Sequence, residues 1–218
     1  MNCNSNKLMI ATIILVIASA GLGYVVGKRT TCSAEGAAIV GQHCDLRHSM
    51  VRLWTDHVIW TRACIVATMN ATPDEHAVHQ RLLKNQEDLG SQLAHYYGNE
   101  AGATFTKLLK DHSTIMHDSV LAAKSHDQGA RRIADEAWRT NEEELVKLLS
   151  HLNSQYWPAS EMKAMFDEHL SLITQEIDAR LHDKWATDIT IFDAMCDQAR
   201  KMARMFADGI VDQHPEKF

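Results

Sequence analysis

A five-residue pattern occurs three times in the sequence at nearly equal intervals. Residues 53–57 read LWTDH, residues 108–112 read LLKDH and residues 165–169 read MFDEH. Each copy has two apolar residues, a spacer, an acidic residue and a histidine, and the histidines are separated by 55 and 57 residues. Self-similarity at a regular interval is the sequence signature of a repeated supersecondary unit. We therefore interpret the chain as a threefold repeat in which each unit contributes one histidine.

The repeated units are predicted to be helical hairpins. From Leu46 onward, apolar residues recur every three or four positions, which is typical of amphipathic helices. The chain has only 3 prolines and 10 glycines in 218 residues, and several of these fall in predicted turns. The expected fold is all-α: an N-terminal transmembrane helix followed by an up-down bundle of about six helices, made of three helical hairpins.

A polar residue lies near the middle of each apolar stripe, at intervals of 27 to 29 residues. Because the midpoints of these intervals fall in predicted turns, antiparallel packing should bring the polar residues to one level of the bundle. The members of this predicted polar layer are His57, Asn85, His112, Asn141 and His169, with Asp197 as a less regular sixth member.

Two interpretations of this layer remain open from the sequence. Buried imidazoles and amides can hydrogen-bond to one another and fix the register of the helices. Alternatively, the three histidines bind a divalent transition metal, with Glu176, Asp188 or Asp197 supplying oxygen ligands. Glu176 lies on the same stripe as His169, and a pairing with Arg180 on its own helix would also account for it.

The sequence argues against several functional classes. A net charge of −6 and a pI near 6.1 are unfavourable for nucleic-acid binding, which requires a basic surface. The chain contains no Glu-x-x-His, the signature of ferritin-like di-iron bundles, and no CxxC. It also lacks a G-x-S-x-G sequence and a phosphate-binding loop. We therefore assign no catalytic residues, and the chain is expected not to be an enzyme.

The N-terminal segment predicts a membrane anchor. Residues 8–26, from Leu8 to Val26, contain no charged residue and are long enough to cross the bilayer as a helix. The alternative is a signal peptide cleaved near Ala20, which would release a secreted protein. The flanking charges do not determine which side of the membrane the bundle occupies. The predicted organisation is an anchor at 1–28, a tether at 29–45 and a bundle domain at 46–218.

Several short motifs resemble an uncharacterised family of all-helical proteins found in bacteria and some large DNA viruses. They are LWxxHxxWTR at 53–62, NQED at 85–88, YGxEAG at 97–102, LLxxH at 108–112 and GIxxQxPxKF at 209–218. The last motif departs from the usual Gln-Phe-Pro by having His214. The family has no agreed activity, so the resemblance implies the helical fold and no catalytic residues.

Together these features predict a membrane-anchored structural or interaction protein that binds a protein partner or a second copy of itself. The competing hypothesis is a metal-binding or small-ligand-binding bundle centred on His57, His112 and His169.

Overall fold

The computed structural model of the protein describes residues 34–218, with side chains from residue 41 onward. Within this range every regular element is helical, which confirms the predicted all-α bundle of six helices. The elements are α1 (Ala34–Asn70), α2 (Glu75–Tyr97), α3 (Asn99–Lys124), α4 (Gln128–Leu152), α5 (Ala159–Leu181), α6 (Trp185–Gln213) and a 3-10 helix at Pro215–Lys217.

The first helix begins inside the segment predicted to be a tether. Residues 29–45 lack a clear apolar stripe, yet α1 is helical from Ala34. The start of α1 is rich in alanine, the residue with the highest helix propensity. From residue 41 onward, the first buried side chain is Leu46. The periodicity therefore marks the first buried side chain from residue 41 onward, and the helix itself begins earlier.

Short connections fold the six helices into three antiparallel hairpins. The hairpins are α1–α2, α3–α4 and α5–α6, and each helix packs against the next one along the chain. α6 packs back against α1, which closes the ring of helices, and α1, α3 and α5 also contact one another. The first helix of every hairpin therefore lies at the centre of the bundle.

The bundle has two distinct ends. We call the end with the loops at residues 71–74, 125–127 and 182–184 the distal end. The other end, the terminal end, has the start of the packed part of α1, the turn at Gly98 and the C-terminus. There Lys217 donates a hydrogen bond from Nζ to the carbonyl oxygen of Tyr96 at 2.7 Å. The Phe218 ring lies 4.8 Å from the His43 ring. The C-terminus is thus docked beside the helix that follows the N-terminal segment.

α2 and α3 are joined by a single residue and approach each other closely at two glycines. Gly98 adopts φ +88°, a conformation that favours glycine, and lies directly between the two helices. A Cβ atom added to Gly90 would lie 2.8 Å from the Gly102 carbonyl oxygen. A Cβ atom added to Gly102 would lie 2.6 Å from the Gly90 carbonyl oxygen and 2.4 Å from the Ala94 Cβ atom. The backbones of the two helices are therefore packed at a distance that only glycine permits.

We expect Gly102→Ala to destabilise the bundle by about 1–3 kcal/mol, since helix backbones would have to separate to admit the methyl group. Gly41→Ala is the matched control: this glycine is exposed in α1, and an added Cβ atom would meet nothing within 4 Å. Alanine favours the helix there, so no loss is expected. Urea denaturation of both variants measures the difference, and equal stabilities would contradict the close packing of α2 and α3.

The predicted membrane anchor at residues 8–26 lies outside the described residues. Among the helices of residues 34–218, none has the length and apolar character needed to span a bilayer.

Candidate functional site: a buried histidine centre

Three imidazole rings meet where α1, α3 and α5 contact one another. The ring centroids of His57 and His169 are 5.5 Å apart, those of His112 and His169 are 5.7 Å apart, and those of His57 and His112 are 6.5 Å apart. Their residues are only 1 to 4% exposed. The histidines of the repeated pattern thus share one level at the centre of the bundle.

Each imidazole is held by an amide side chain from the second helix of its own hairpin. His57 Nδ1 lies 3.1 Å from Gln86 Nε2, His112 Nδ1 lies 3.2 Å from Asn141 Oδ1, and His169 Nδ1 lies 3.2 Å from Gln198 Oε1. The amide follows its histidine by 29 residues in all three hairpins. The threefold repeat of the sequence is therefore also a repeat of contacts.

The same hairpins share a second hydrogen bond, from an amide to the carbonyl oxygen four residues before the histidine. Asn141 donates to Leu108 at 2.9 Å, and Gln198 donates to Met165 at 3.1 Å. In the first hairpin this bond comes from Asn85, which donates to Leu53 at 3.0 Å. In the second and third hairpins one amide contacts both the imidazole and the carbonyl oxygen. In the first hairpin Gln86 contacts the imidazole and Asn85 contacts the carbonyl oxygen.

The partners of Gln86 determine where His57 has its proton. Gln86 Nε2 donates to the Leu82 carbonyl oxygen at 3.1 Å and faces His57 Nδ1. An amide nitrogen can only donate, so His57 Nδ1 accepts and its Nε2 bears the hydrogen. That Nε2 lies 3.4 Å from His169 Nε2, to which it donates a long hydrogen bond. The neutral His169 then has its hydrogen on Nδ1, where the Gln198 oxygen accepts it.

His112 is the one imidazole of the three with an unused nitrogen. Its Nδ1 donates to the Asn141 oxygen, which leaves Nε2 as an acceptor. This Nε2 is buried and has no hydrogen-bond partner. A buried acceptor without a partner is uncommon and destabilising, so this nitrogen leaves the centre chemically incomplete, as does the buried Gln86 oxygen, which also has no partner.

Burial keeps all three imidazoles neutral. Burial, followed by the charges of His169 and His112, lowers the pKa of His57 well below its ordinary value. Burial is also the main cause that lowers the pKa of His112 to about 3 and that of His169 to about 4. The hydrogen bonds to Asn141 and Gln198 oppose these shifts. Neutral imidazoles are hydrogen-bond partners and metal ligands rather than cations.

The structure changes the predicted polar layer at two positions. Asp197 is not a member: its side chain is 73% exposed and pairs with Arg200, whereas the adjacent Gln198 is buried beside His169. Asn85 is buried as expected, but the amide that contacts His57 is Gln86. One residue rotates a helical side chain by about 100°, which separates an exposed position from a central one. The constant 29-residue interval after each histidine is the signal that identifies Gln86 and Gln198.

The acidic residues of the repeated pattern lie toward the surface. Asp111 pairs with Lys107 at 2.6 Å, and Asp56 lies 3.7 Å from Arg52, each within its own helix. Glu168 is exposed. The amides, and not these acids, are therefore the partners of the imidazoles.

Glu176 belongs to a second buried cluster, between α1, α5 and α6. Its Oε1 accepts a hydrogen bond from Arg62 at 2.7 Å, so its ion pair is with Arg62 and not with Arg180 as the helix spacing suggested. Arg62 also donates two bonds to Asp188, at 2.6 and 2.8 Å, and Arg180 pairs with Asp188 at 2.9 Å. Arg62 lies over the Phe192 ring. These pairings have no local signal in the sequence, because the partners come from different helices.

The two carboxyl groups of this cluster differ in their electrostatic environments. Burial, reinforced by the charge of Asp188, raises the pKa of Glu176 to about 7 despite the opposing effect of Arg62. Burial also acts to raise the pKa of Asp188, but the hydrogen bonds and charges of Arg62 and Arg180 outweigh it and lower that pKa. Asp188 is therefore the permanent anion of the cluster, and Glu176 exchanges its proton near neutral pH.

Among residues 34–218, no group of three or more His, Cys, Asp or Glu side chains stands in an arrangement that could already hold a metal ion. The structure brings together His57, His112 and His169 but places Glu176 in the separate cluster with Arg62.

Comparisons with protein-family models, curated proteins and solved structures gave no match.

Proposed function

We propose that the protein is a non-enzymatic scaffold, anchored to a membrane by residues 8–26, whose rigid helical bundle faces a protein partner. The observation that supports this most directly is the hydrogen-bonded layer at the centre. The chain of bonds from Gln86 through His57 and His169 to Gln198 joins both outer hairpins of the repeat. A polar layer of this kind fixes the register of helices.

Burial of the layer also favours a structural role over catalysis. The imidazoles are at most 4% exposed, so a substrate in solution has no direct contact with them. Two of the three have both ring nitrogens engaged within the protein. A general base or nucleophile must instead reach the reacting group within hydrogen-bond distance. His57 and His169 are accordingly assigned to holding the first and third hairpins at one height, and the His112 ring of the second hairpin packs against both.

The distribution of exposed apolar side chains supports a partner-facing role. In the described part of the chain, all five exposed large hydrophobic residues lie on the distal side of the histidine level. They are Ile59, Leu121, Ile133, Trp185 and Ile189, with exposed fractions from 43 to 70%. α1 begins at the opposite end, so a membrane anchor that precedes it would hold the distal half farthest from the bilayer.

Membrane attachment is tested on the full chain by alkaline extraction of membranes. The native chain is expected to remain in the membrane pellet, whereas the double variant Ile14→Asp/Val16→Asp is expected in the supernatant. Each aspartate at the centre of a spanning helix costs about 2.5–3.5 kcal/mol on insertion scales. A native chain that is extracted completely would contradict the anchor, and a lower mass missing the first 20 residues would instead identify a cleaved signal.

The register role is tested by replacing all three histidines with leucine. The amide partners keep their bonds to backbone carbonyl oxygens, but the buried Asn141 and Gln198 oxygens lose the N–H groups from which they accept. We expect a loss of about 1–3 kcal/mol for each oxygen at pH 7.5, which leaves the bundle folded. The variant should nevertheless lose unique packing, seen as broader amide resonances and faster hydrogen exchange in α1, α3 and α5. Sharp resonances with unchanged protection would show that the layer does not specify register.

A further inference from the structure

We propose that the histidine centre binds one divalent transition-metal ion, of the class represented by Zn²⁺ and Co²⁺, through the Nε2 atoms of His57, His112 and His169. The inference goes beyond the scaffold role, which stands whether or not a metal binds. Neutral imidazoles are the preferred nitrogen ligands of these ions.

The first support is the separation between two of the ligand atoms. His57 Nε2 and His169 Nε2 are 3.4 Å apart. Two nitrogens at about 2.0–2.1 Å from a tetrahedral zinc ion are separated by nearly this distance. The same spacing therefore suits either a proton shared between the two nitrogens or a metal ion in its place.

The second support is the unused nitrogen of His112. Its Nε2 is buried, lacks a partner and has its lone pair available, because Nδ1 donates to Asn141. The His112 ring centroid lies 5.7 Å from that of His169. Binding requires His112 to move toward the other two rings, since the side chains are not yet arranged as a complete site. Coordination would satisfy the buried acceptor that the metal-free bundle leaves without a partner.

The amides act as the outer partners that orient metal-binding histidines. A ligating imidazole usually donates its other N–H to an oxygen, which fixes the ring and its tautomer. Asn141 and Gln198 already present oxygens to His112 and His169. Gln86 presents nitrogen to His57, so ligation through Nε2 requires the proton of this neutral ring to move from Nε2 to Nδ1, with no net proton release. The Gln86 amide must then turn its oxygen, now without a partner, toward the new Nδ1 hydrogen.

Because metal binding requires an oxygen at this position, one substitution is expected to raise metal affinity, whereas a substitution that only disturbed the fold would lower it. Gln86→Glu offers His57 Nδ1 a carboxylate oxygen and adds a negative charge near the cation. We expect it to tighten metal binding about 10- to 100-fold, the range by which such outer partners alter affinity. If the centre is only a hydrogen-bonded layer, the same variant adds a buried carboxylate, destabilises the bundle and gains no metal affinity.

The test uses the full chain in detergent, titrated with Co²⁺ and Zn²⁺ and assayed for metal content after dialysis. One equivalent is expected, with visible Co²⁺ absorption typical of a tetrahedral site. His112→Gln should weaken binding by more than about 100-fold, whereas the exposed control His151→Gln should leave it unchanged. Nitrogen NMR of the native chain provides a measurement independent of any variant, since coordination shifts the Nε2 resonances of all three histidines. Absence of a bound metal, or binding that leaves those resonances unchanged, would overturn the proposal.

Discussion

Lowering the pH from 7 to 5 is expected to reduce the free energy of unfolding of the bundle by about 4 kcal/mol. His57, His112 and His169 stay neutral when folded because burial lowers the pKa of each, whereas the unfolded chain protonates them below about pH 6.5. Their contribution to stability is thus fully present above pH 6.5 and is lost as the pH falls toward 3 to 4. Between pH 7 and pH 5, proton linkage at each histidine lowers the free energy of unfolding by about 2 kcal/mol.

Glu176 has the opposite effect on stability: between pH 7 and pH 5 its protonation raises the free energy of unfolding. Its pKa is raised to about 7 in the folded state, so the folded protein binds this proton more tightly than the unfolded chain. Between pH 7 and pH 5 it offsets about 2 of the 6 kcal/mol lost at the histidines, by the same linkage. Because domains of this kind have a total stability of about 5–15 kcal/mol, the bundle should be marginal at pH 5.

Urea denaturation at a series of pH values measures this effect, and its slope gives the number of protons taken up on unfolding. Near pH 5.5 the slope should correspond to about two protons, three from the histidines minus one at Glu176. His112→Leu should lower the uptake by one, and the exposed control His151→Gln should not change it. A stability that is flat between pH 7 and pH 5 would show that the imidazoles are not held neutral.

Arg62→Met is the second substitution expected to have a large effect. Arg62 is the ion-pair partner of Glu176 and one of two partners of Asp188, and those carboxylates are at most 2% exposed. Removing one member of a buried ion pair leaves uncompensated charge and costs about 3–5 kcal/mol. The loss should be larger at pH 8 than at pH 6, because Glu176 takes up a proton at the lower pH.

The matched control is Arg52→Met in the same helix. Arg52 lies 3.7 Å from Asp56, and its side chain is 64% exposed, so the substitution should cost less than about 1 kcal/mol. Thermal and urea unfolding of the two variants at pH 6 and pH 8 separate the cases. Similar losses for both arginines, or a loss at Arg62 that does not depend on pH, would contradict the described electrostatics of the cluster.

The architecture was predictable because helical periodicity and turn residues are local signals. The three histidines were placed at one level by a symmetry argument, since equal distances from a turn give equal heights in antiparallel helices. The choice between Asp197 and Gln198 was not predictable from that argument alone. An error of one residue, about 100° of rotation, is within the uncertainty of an apolar stripe.

Pairing across distant helices was the part that sequence could not provide. Arg62 and Glu176 are 114 residues apart, and the nearer Arg180 offered a plausible partner within one helix. Likewise, α1 is helical from Ala34, ahead of the apolar stripe, so the apolar pattern placed the start of the helix at Leu46 instead. The membrane anchor and the family resemblance remain predictions.

Because the amide of the first hairpin is reversed, the hydrogen bonds from Gln86 through His57 and His169 to Gln198 all donate in the same direction. Gln86 donates to its imidazole, whereas Asn141 and Gln198 accept from theirs, so the first hairpin differs in polarity from the other two, which are alike. In an exactly symmetric repeat, a hairpin from a neighbouring molecule could replace any of the three, the usual route to domain-swapped aggregates of repeat proteins. Here a copy of the first hairpin in the third position would set two Nε2–H groups against each other, and a copy of the third hairpin in the first position would set two Nε2 lone pairs against each other. The asymmetry therefore disfavours exchange between the first and third hairpins, the two that the histidine hydrogen bond joins.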